Sequence, residues 1–234
     1  MKLNHGFIMS AALTGLVLTG CQSYSPTATK WEVLFDGRSI EQAQQNFRGF
    51  KQTGFPNGWA LDGTALKTVA GHGGGGSDIM TRQMYSDFEL EFEWAVTKGG
   101  NGGVMYNVAE TGAEAWNTGP EYQVLDDANH ADGQNPKTSA GALYALIAPG
   151  PEKTTLPVGQ FNQARIVVDK GRIEHWLNGH KVVEYRWDSP EVRSLIAQSK
   201  FAPLPQFMKA NHGYLVFQHH GEEVWYRMIR VRRL

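Results

Sequence analysis

Gly119-Pro120-Glu121-Tyr122-Gln123-Val124-Leu125-Asp126 alternates with a period of two and reads as a β-strand. Tyr122 and Val124 point to one face; Glu121, Gln123 and Leu125 point to the other. Pro120 marks a strand entry or an edge, where a missing N–H does no harm. An acid and an amide side by side on one strand face can grip a polyhydroxylated ligand. Taken alone, the stretch fits a solvated outer face better, so its neighbours decide.

Upstream, Asp87 to Val96 is the clearest strand, with Phe88, Leu90, Phe92 and Trp94 on an apolar face and Glu89, Glu91 and Glu93 on an acidic one. Lys98 to Gly102 turns the chain, and Gly103 to Val108 returns as a strand. Downstream, Asp126 to Ser139 is a polar loop that includes His130. Further strands are expected at Gly141 to Ile147, Phe161 to Asp169, Gly213 to Gln218 and Val224 to Arg232. Arg172 to Leu177 and His180 to Trp187 flank Asn178-Gly179, a strong hairpin signal. Near the start, Trp31 to Phe35 is a short strand, and a second hairpin turns at Asp62-Gly63. The run Gly71-His72-Gly73-Gly74-Gly75-Gly76-Ser77 lacks a following helix or Gly-Lys-Ser/Thr, so it reads as a loop rather than a phosphate cradle. Ser189-Pro190-Glu191 caps a short helix to about Ser199, the one helix assigned after the leader. Ile40 to Phe47 fits one helical turn or a loop. Many short strands with closely spaced turns define an all-β sandwich or barrel in a single domain.

The chain has 234 residues, 41% hydrophobic, enough for one sizeable core. A formal net charge of -1 argues against a nucleic-acid partner, which wants a basic face. Seven Trp and eight Tyr suit a sandwich core or a sugar-stacking cleft. The single cysteine, Cys21, excludes an intramolecular disulfide. It follows a Lys2-led apolar run too short for a membrane span, ending in Leu18-Thr19-Gly20-Cys21. That box resembles a bacterial lipoprotein cleavage site. It implies a signal peptide over residues 1–20, lipid on Cys21, a tether over 21–30 and a folded domain over 31–234. Acyl chains on Cys21 would hold the chain to a membrane, and Gln22 after it favours the outer membrane or a periplasm-facing position in the cell envelope.

Several side chains are candidates for chemistry. Three glutamates on one strand face are usually solvated, yet Glu93 lies nearest the glycine turn. His175 sits between Ile173 and Leu177 on one face, which on these residues alone fits a satisfied core histidine; the functional reading is an acid, base or metal ligand. A two-residue turn at Asn178-Gly179 sets His175 opposite Val182. His219 and His220 point opposite ways if they are on a strand. No His-Glu-x-x-His, Cys/His zinc pattern or Gly-x-Ser-x-Gly occurs. A divalent cation held by His and carboxylates from separate strands stays open.

Tyr85 to Trp94, Gly99-Gly100-Asn101, Gly119 to Asp126, Gly141-Ala142-Leu143-Tyr144, Ile147-Ala148-Pro149, Glu174 to Gly179 and Val224-Trp225-Tyr226-Arg227 together resemble the 3-keto-disaccharide hydrolase domain, formerly a domain of unknown function. The resemblance runs from about Trp31 to Leu234. It implies a concanavalin A-like jelly-roll sandwich with a sugar cleft on its concave sheet, and action on glycosides oxidised to a ketone at carbon 3. Gly102 stands where the family often has Ser, and His219 where Asp commonly precedes the His-Gly pair. A ketone at carbon 3 acidifies the proton on carbon 2, so a base can take it and the carbon 1 substituent then leaves, with or without water adding back. Glu121 and His175 are the expected base and acid, in either order, with Glu93 a third catalytic candidate. Gln123, Asn101, Tyr144, His220 and Tyr106 are the expected substrate-binding set. Three other readings stay open: two-carboxylate hydrolysis by Glu93 and Glu121, a lectin-like module without a base, and a structural envelope protein.

Overall fold

The computed structural model of the chain describes residue 1, residues 30–74 and residues 76–234. The leader, Cys21 and most of the tether lie outside the described residues. In chain order the elements are β1 (Glu32–Phe35), α1 (Ile40–Asn46), β2 (Phe47–Gly49), β3 (Trp59–Asp62), β4 (Ala65–Thr68), β5 (Ile79–Thr81), β6 (Phe88–Val96), β7 (Asn101–Val108) and β8 (Glu121–Leu125). Then follow β9 (Asn162–Asp169), β10 (Arg172–Leu177), β11 (His180–Arg186), α2 (Pro190–Ala197), β12 (Tyr214–Phe217) and β13 (Val224–Arg233). They form two antiparallel sheets packed as a jelly-roll sandwich. One has the order β11-β10-β9-β6-β13-β4-β3, with β1 also on β13; the other is β2-β5-β12-β7-β8.

The long last strand explains the larger sheet. Trp225 and Tyr226 on β13 pair with Lys67 and Leu66 of β4, and further on Ile229 to Val231 pair with β1. The other edge of β13 runs along β6. Alternation along β6 then sorts its side chains. Phe88, Leu90, Phe92 and Trp94 are buried between the sheets, where Phe92 meets Phe217 and Tyr122 edge-on at 5.7 Å. The glutamates face outward onto three arginines of β13. Arg227 Nε donates to Glu93 at 2.6 Å, Arg230 to Glu91 at 2.7 Å and Arg232 to Glu89 at 2.7 Å. Paired in this way, the acidic face is stable with Glu89 buried and Glu91 and Glu93 half-buried beneath their arginines.

Four local details differ from the sequence reading. Ile40–Asn46 is a full helix, capped by the Ser39 side chain, so the described residues hold two α-helices rather than one. The β3–β4 turn is Gly63-Thr64, one residue later than expected, since Asp62 pairs with Ala65 and Gly63 takes a positive φ of 58°. A bulge beyond the Asn178-Gly179 turn sets His175 opposite Val183 instead of Val182. Gly141–Ile147 is a folded-back loop with only isolated bridges: Leu143 pairs with both Tyr122 and Ile147, and Ala145 turns the chain at positive φ.

Candidate active site

The outer face of the smaller sheet carries the site. Alternation in β8 drives Tyr122 and Val124 into the core and leaves Glu121 and Gln123 on the opposite face. Beside them β7 supplies Asn101, Gly103 and Met105. Gly103 is there of necessity: a Cβ at this position would lie 2.0 Å from Glu121 Oε1, so the carboxyl rests on bare backbone. Gly102 faces the other way, and the Tyr226 hydroxyl fills the space that the family's Ser would need, 2.7 Å from a notional Cβ.

A cavity of about 150 Å³ opens over this face, lined by Glu121, Gln123, Asn101 and Gln218 from the sheet and its strand ends. Its walls are Trp116 from the 3-10 turn Ala115–Asn117, Tyr144 from the folded-back loop, Lys200 and Phe201 after α2, and His220 after β12. Main-chain bonds fix the Tyr144 wall to β8: Gly141 donates to the Gln123 carbonyl at 2.8 Å, Gln123 to Ala142 at 3.2 Å and Tyr144 to Glu121 at 3.1 Å. The Tyr144 hydroxyl then donates to Asp132 at 3.0 Å.

Glu121 is 8% exposed, and no donor among the described residues reaches its side chain. Burial is the main cause that pushes its carboxyl up to about 8; Lys200 opposes the rise, and Asp78 and Asp132 add to it. Asp78 is itself raised to about 7, chiefly by burial, against the His219 N–H that it accepts at 2.9 Å. Gln123 donates to Asn101 at 3.3 Å, while its own buried carbonyl oxygen has no partner among the described residues. His220 Nδ1 donates to Glu222 at 2.8 Å, which fixes the ring and leaves Nε2 free as the second ring nitrogen. His130 Nε2 lies 3.5 Å from the Asn101 amide, and its ring centroid is 6.4 Å from that of His220.

Five expected site residues therefore meet in one cavity: Glu121, Gln123, Asn101, Tyr144 and His220. Three do not. Glu93 lies on the outer face of the other sheet, held by Arg227. His175 is fully buried between the sheets, its Nδ1 donating to the Gly141 carbonyl at 3.1 Å and its Nε2 accepting from the Tyr106 hydroxyl at 2.8 Å. Burial lowers its pKa to about 4, so it is a neutral, satisfied core histidine. Tyr106, also fully buried, spends its hydroxyl on His175 and on Tyr185 at 2.7 Å, so it cannot touch a ligand in the cavity. Among the described residues, no three His, Cys, Asp or Glu side chains gather as a metal-ligand set. Lys200, Trp116, Gln218 and Glu222 escape sequence reasoning because they sit on turns and coil, where no period marks a face.

The jelly-roll sandwich thus carries a buried acid at the base of a polar and aromatic cleft, and the comparisons with known proteins place it among the carbohydrate-active enzymes. The profile of the 3-keto-alpha-glucoside-1,2-lyase-like domain matches residues 30–232, and the chain belongs to that family. It is 32% identical over 230 residues to a 3-keto-disaccharide hydrolase of Bacteroides thetaiotaomicron, covering 86% of this chain and 77% of that protein. Two crystal structures of candidate glycosyl hydrolases from Parabacteroides distasonis share the fold. The first superposes with a TM-score of 0.77 at 26% identity, over 87% of this chain and 94% of that one. The second has a TM-score of 0.67 at 27% identity, over 88% and 100%.

Proposed function

We propose that the chain cleaves the glycosidic bond of 3-keto-glycosides by removing the carbon 2 proton and expelling the carbon 1 substituent, with or without later addition of water. The observation that carries this reading is the Glu121 carboxyl: buried, unpartnered, open to the cavity and with a proton affinity close to neutral pH. A base of that strength is matched to a carbon acid activated by a neighbouring ketone. His220, oriented by Glu222, is placed to hand a proton to the leaving oxygen. Asn101, Gln123 and Gln218 offer amides to sugar hydroxyls, and Trp116, 36% exposed, offers an aromatic face to a pyranose ring. The family membership and the hydrolase relative support the substrate class.

The test is incubation with a 3-keto-glucoside and with the same glucoside unoxidised, in D2O. Release of the leaving group from the ketone alone is the expected result, with deuterium entering carbon 2 of the recovered ketone when the enolate reverts and carbon 2 of the product only where water adds back. Cleavage of the unoxidised sugar at a comparable rate would overturn the elimination route, and binding of either without turnover would favour a lectin. The Glu93–Glu121 hydrolase pair loses its second acid, because the two carboxylates belong to different sheets.

Gly103→Ala probes the same site indirectly. The new methyl displaces the Glu121 carboxyl rather than any backbone, so the protein still folds, at a cost of about 1–3 kcal/mol for overpacking. Turnover of the 3-keto-glucoside is expected to fall about 10²-fold, the usual penalty for a misplaced group. Steady-state kinetics beside a thermal melt separates the two effects.

A further inference from the structure

Proton abstraction beside a ketone creates negative charge on the carbonyl oxygen, and the site needs a donor for it. The amides of Asn101, Gln123 and Gln218 are neutral, and the His220 ring is tied to Glu222. Among the described residues, Lys200 is the one lysine or arginine lining the cavity. Its Nζ lies 4.3 Å from the Tyr144 ring centroid, 5.3 Å from that of Phe201 and 5.6 Å from that of Trp116. Among the described residues no carboxylate comes within 4.0 Å of it, as for most of the described lysines; what sets it apart is its place among the aromatic walls of the cavity. Three rings therefore hold an ammonium in place without neutralising it. That arrangement leaves its charge available to a ligand and lowers the entropy lost when it donates.

The geometry points to Lys200 as the catalytic electrophile of this site: its ammonium donates to the carbon 3 oxygen of a 3-keto sugar as that oxygen becomes an enolate. The assignment rests on the reading of the function given above. In the step, Glu121 takes the carbon 2 proton, the C–H pair becomes the C2–C3 double bond, and the carbonyl π pair moves to oxygen. Lys200 keeps its protons and stabilises the oxyanion. When the ketone re-forms, the C2–C3 pair moves to C1–C2, the C1–O bond breaks, and the leaving oxygen takes the Nε2 proton of His220, which enters the step as the imidazolium with its Nδ1 proton on Glu222 and leaves it as the neutral ring. The product is an enone, and no oxidant or reductant is consumed. A charged donor suits this task better than the amides, since charge-assisted hydrogen bonds are about twice as strong as neutral ones.

Lys200→Met and Lys200→Arg test the assignment with a 4-nitrophenyl 3-keto-glucoside, reading nitrophenolate release and carbon 2 deuterium exchange. Lys200 is exposed, so both variants should fold. Rates are compared on each variant's own pH plateau, because removing the cation also raises the proton affinity of Glu121. Lys200→Met is expected to lower kcat about 10²–10³-fold with KM little changed, and exchange should slow in parallel. Lys200→Arg should recover part of that loss, since it restores the charge. Wild-type kcat in Lys200→Met, with wild-type enzyme active, would overturn the role of Lys200 and leave the function standing. A raised KM with unchanged kcat would also overturn it, making Lys200 a ground-state contact only. An adduct trapped by borohydride would replace the ion with an imine and overturn it as well. If the wild-type protein releases no nitrophenolate, the functional reading fails first and the assignment fails with it.

Discussion

Glu121→Gln is expected to lower turnover of a 3-keto-glucoside by roughly 10²–10⁴-fold, the span supplied by a positioned general base. The amide is nearly isosteric and fits over Gly103 as the acid does, so the loss will not come from packing. Two further signatures separate this from a binding defect. In the wild-type protein kcat/KM should climb as pH rises toward about 8, where the carboxyl ionises, and the variant should lack that limb. Stability should move the opposite way. The folded protein holds the Glu121 proton up to about 8, against 4.5 for an ordinary glutamate. Below 4.5 both folded and unfolded chains are protonated, and this contribution to stability is fully present. As pH rises from 4.5 through 8, only the unfolded chain can readily release the proton, and the contribution is lost. Glu121→Gln should therefore be more stable than wild type at pH 8 by on the order of a few kcal/mol, and about equal to it near pH 4. Paired melts across that range check the sign; an equal Tm at both ends would mean that the carboxyl is not desolvated.

His175→Ala has the other large expected effect, and it falls on the fold. Removing the ring leaves a cavity between the sheets, strips the Tyr106 hydroxyl of its acceptor and leaves the Gly141 carbonyl without its donor. A cost of about 3–5 kcal/mol is expected from the cavity and the orphaned groups together. The pH dependence again carries a sign. Burial holds the imidazole at about 4, below its usual 6.5, so the stability it provides is present above 6.5 and is lost as pH falls toward 4. Urea titrations at pH 7.5 and 4.5 should show the wild-type protein weakening in acid more than the variant does. The folded fraction of His175→Ala should keep far more turnover than Glu121→Gln. A variant with unchanged stability and no activity would restore the imidazole to the chemistry.

The two histidines show where sequence reasoning reaches its limit. Ile173, His175 and Leu177 alternate with Glu174 and Trp176, and that period already assigns the imidazole to the face of its two aliphatic neighbours, which the structure buries. The same logic resolves Glu121 and Gln123 from Tyr122 and Val124. Period also separates the three glutamates of β6 from their aromatic neighbours, but it cannot tell which of two sheets a strand joins. That choice removes Glu93 from the site, because β6 pairs with β9 and β13 in the sheet that turns its outer face away from the cavity. Trp116, Lys200 and Gln218 lie 5, 79 and 97 positions from Glu121 in the chain, on segments without a repeating face, and closure of the sandwich alone brings them together. His220 differs: its neighbour His219 packs against Trp59, ring centroids 5.9 Å apart, so one of the adjacent pair is anchored and the other faces the cleft.

The strand that bears Glu121 is the last in its sheet, with β7 on one side and no regular strand on the other. A bare margin of that kind invites another polypeptide to zip onto it. Here the folded-back segment from Gly141 to Tyr144 occupies the margin and at the same time supplies a wall of the cleft. Loosening that segment, by heat or by substitution, thus dismantles the ligand pocket and uncovers a sticky selvage in one event. Inactivation and self-association should accordingly set in together when the protein is stressed.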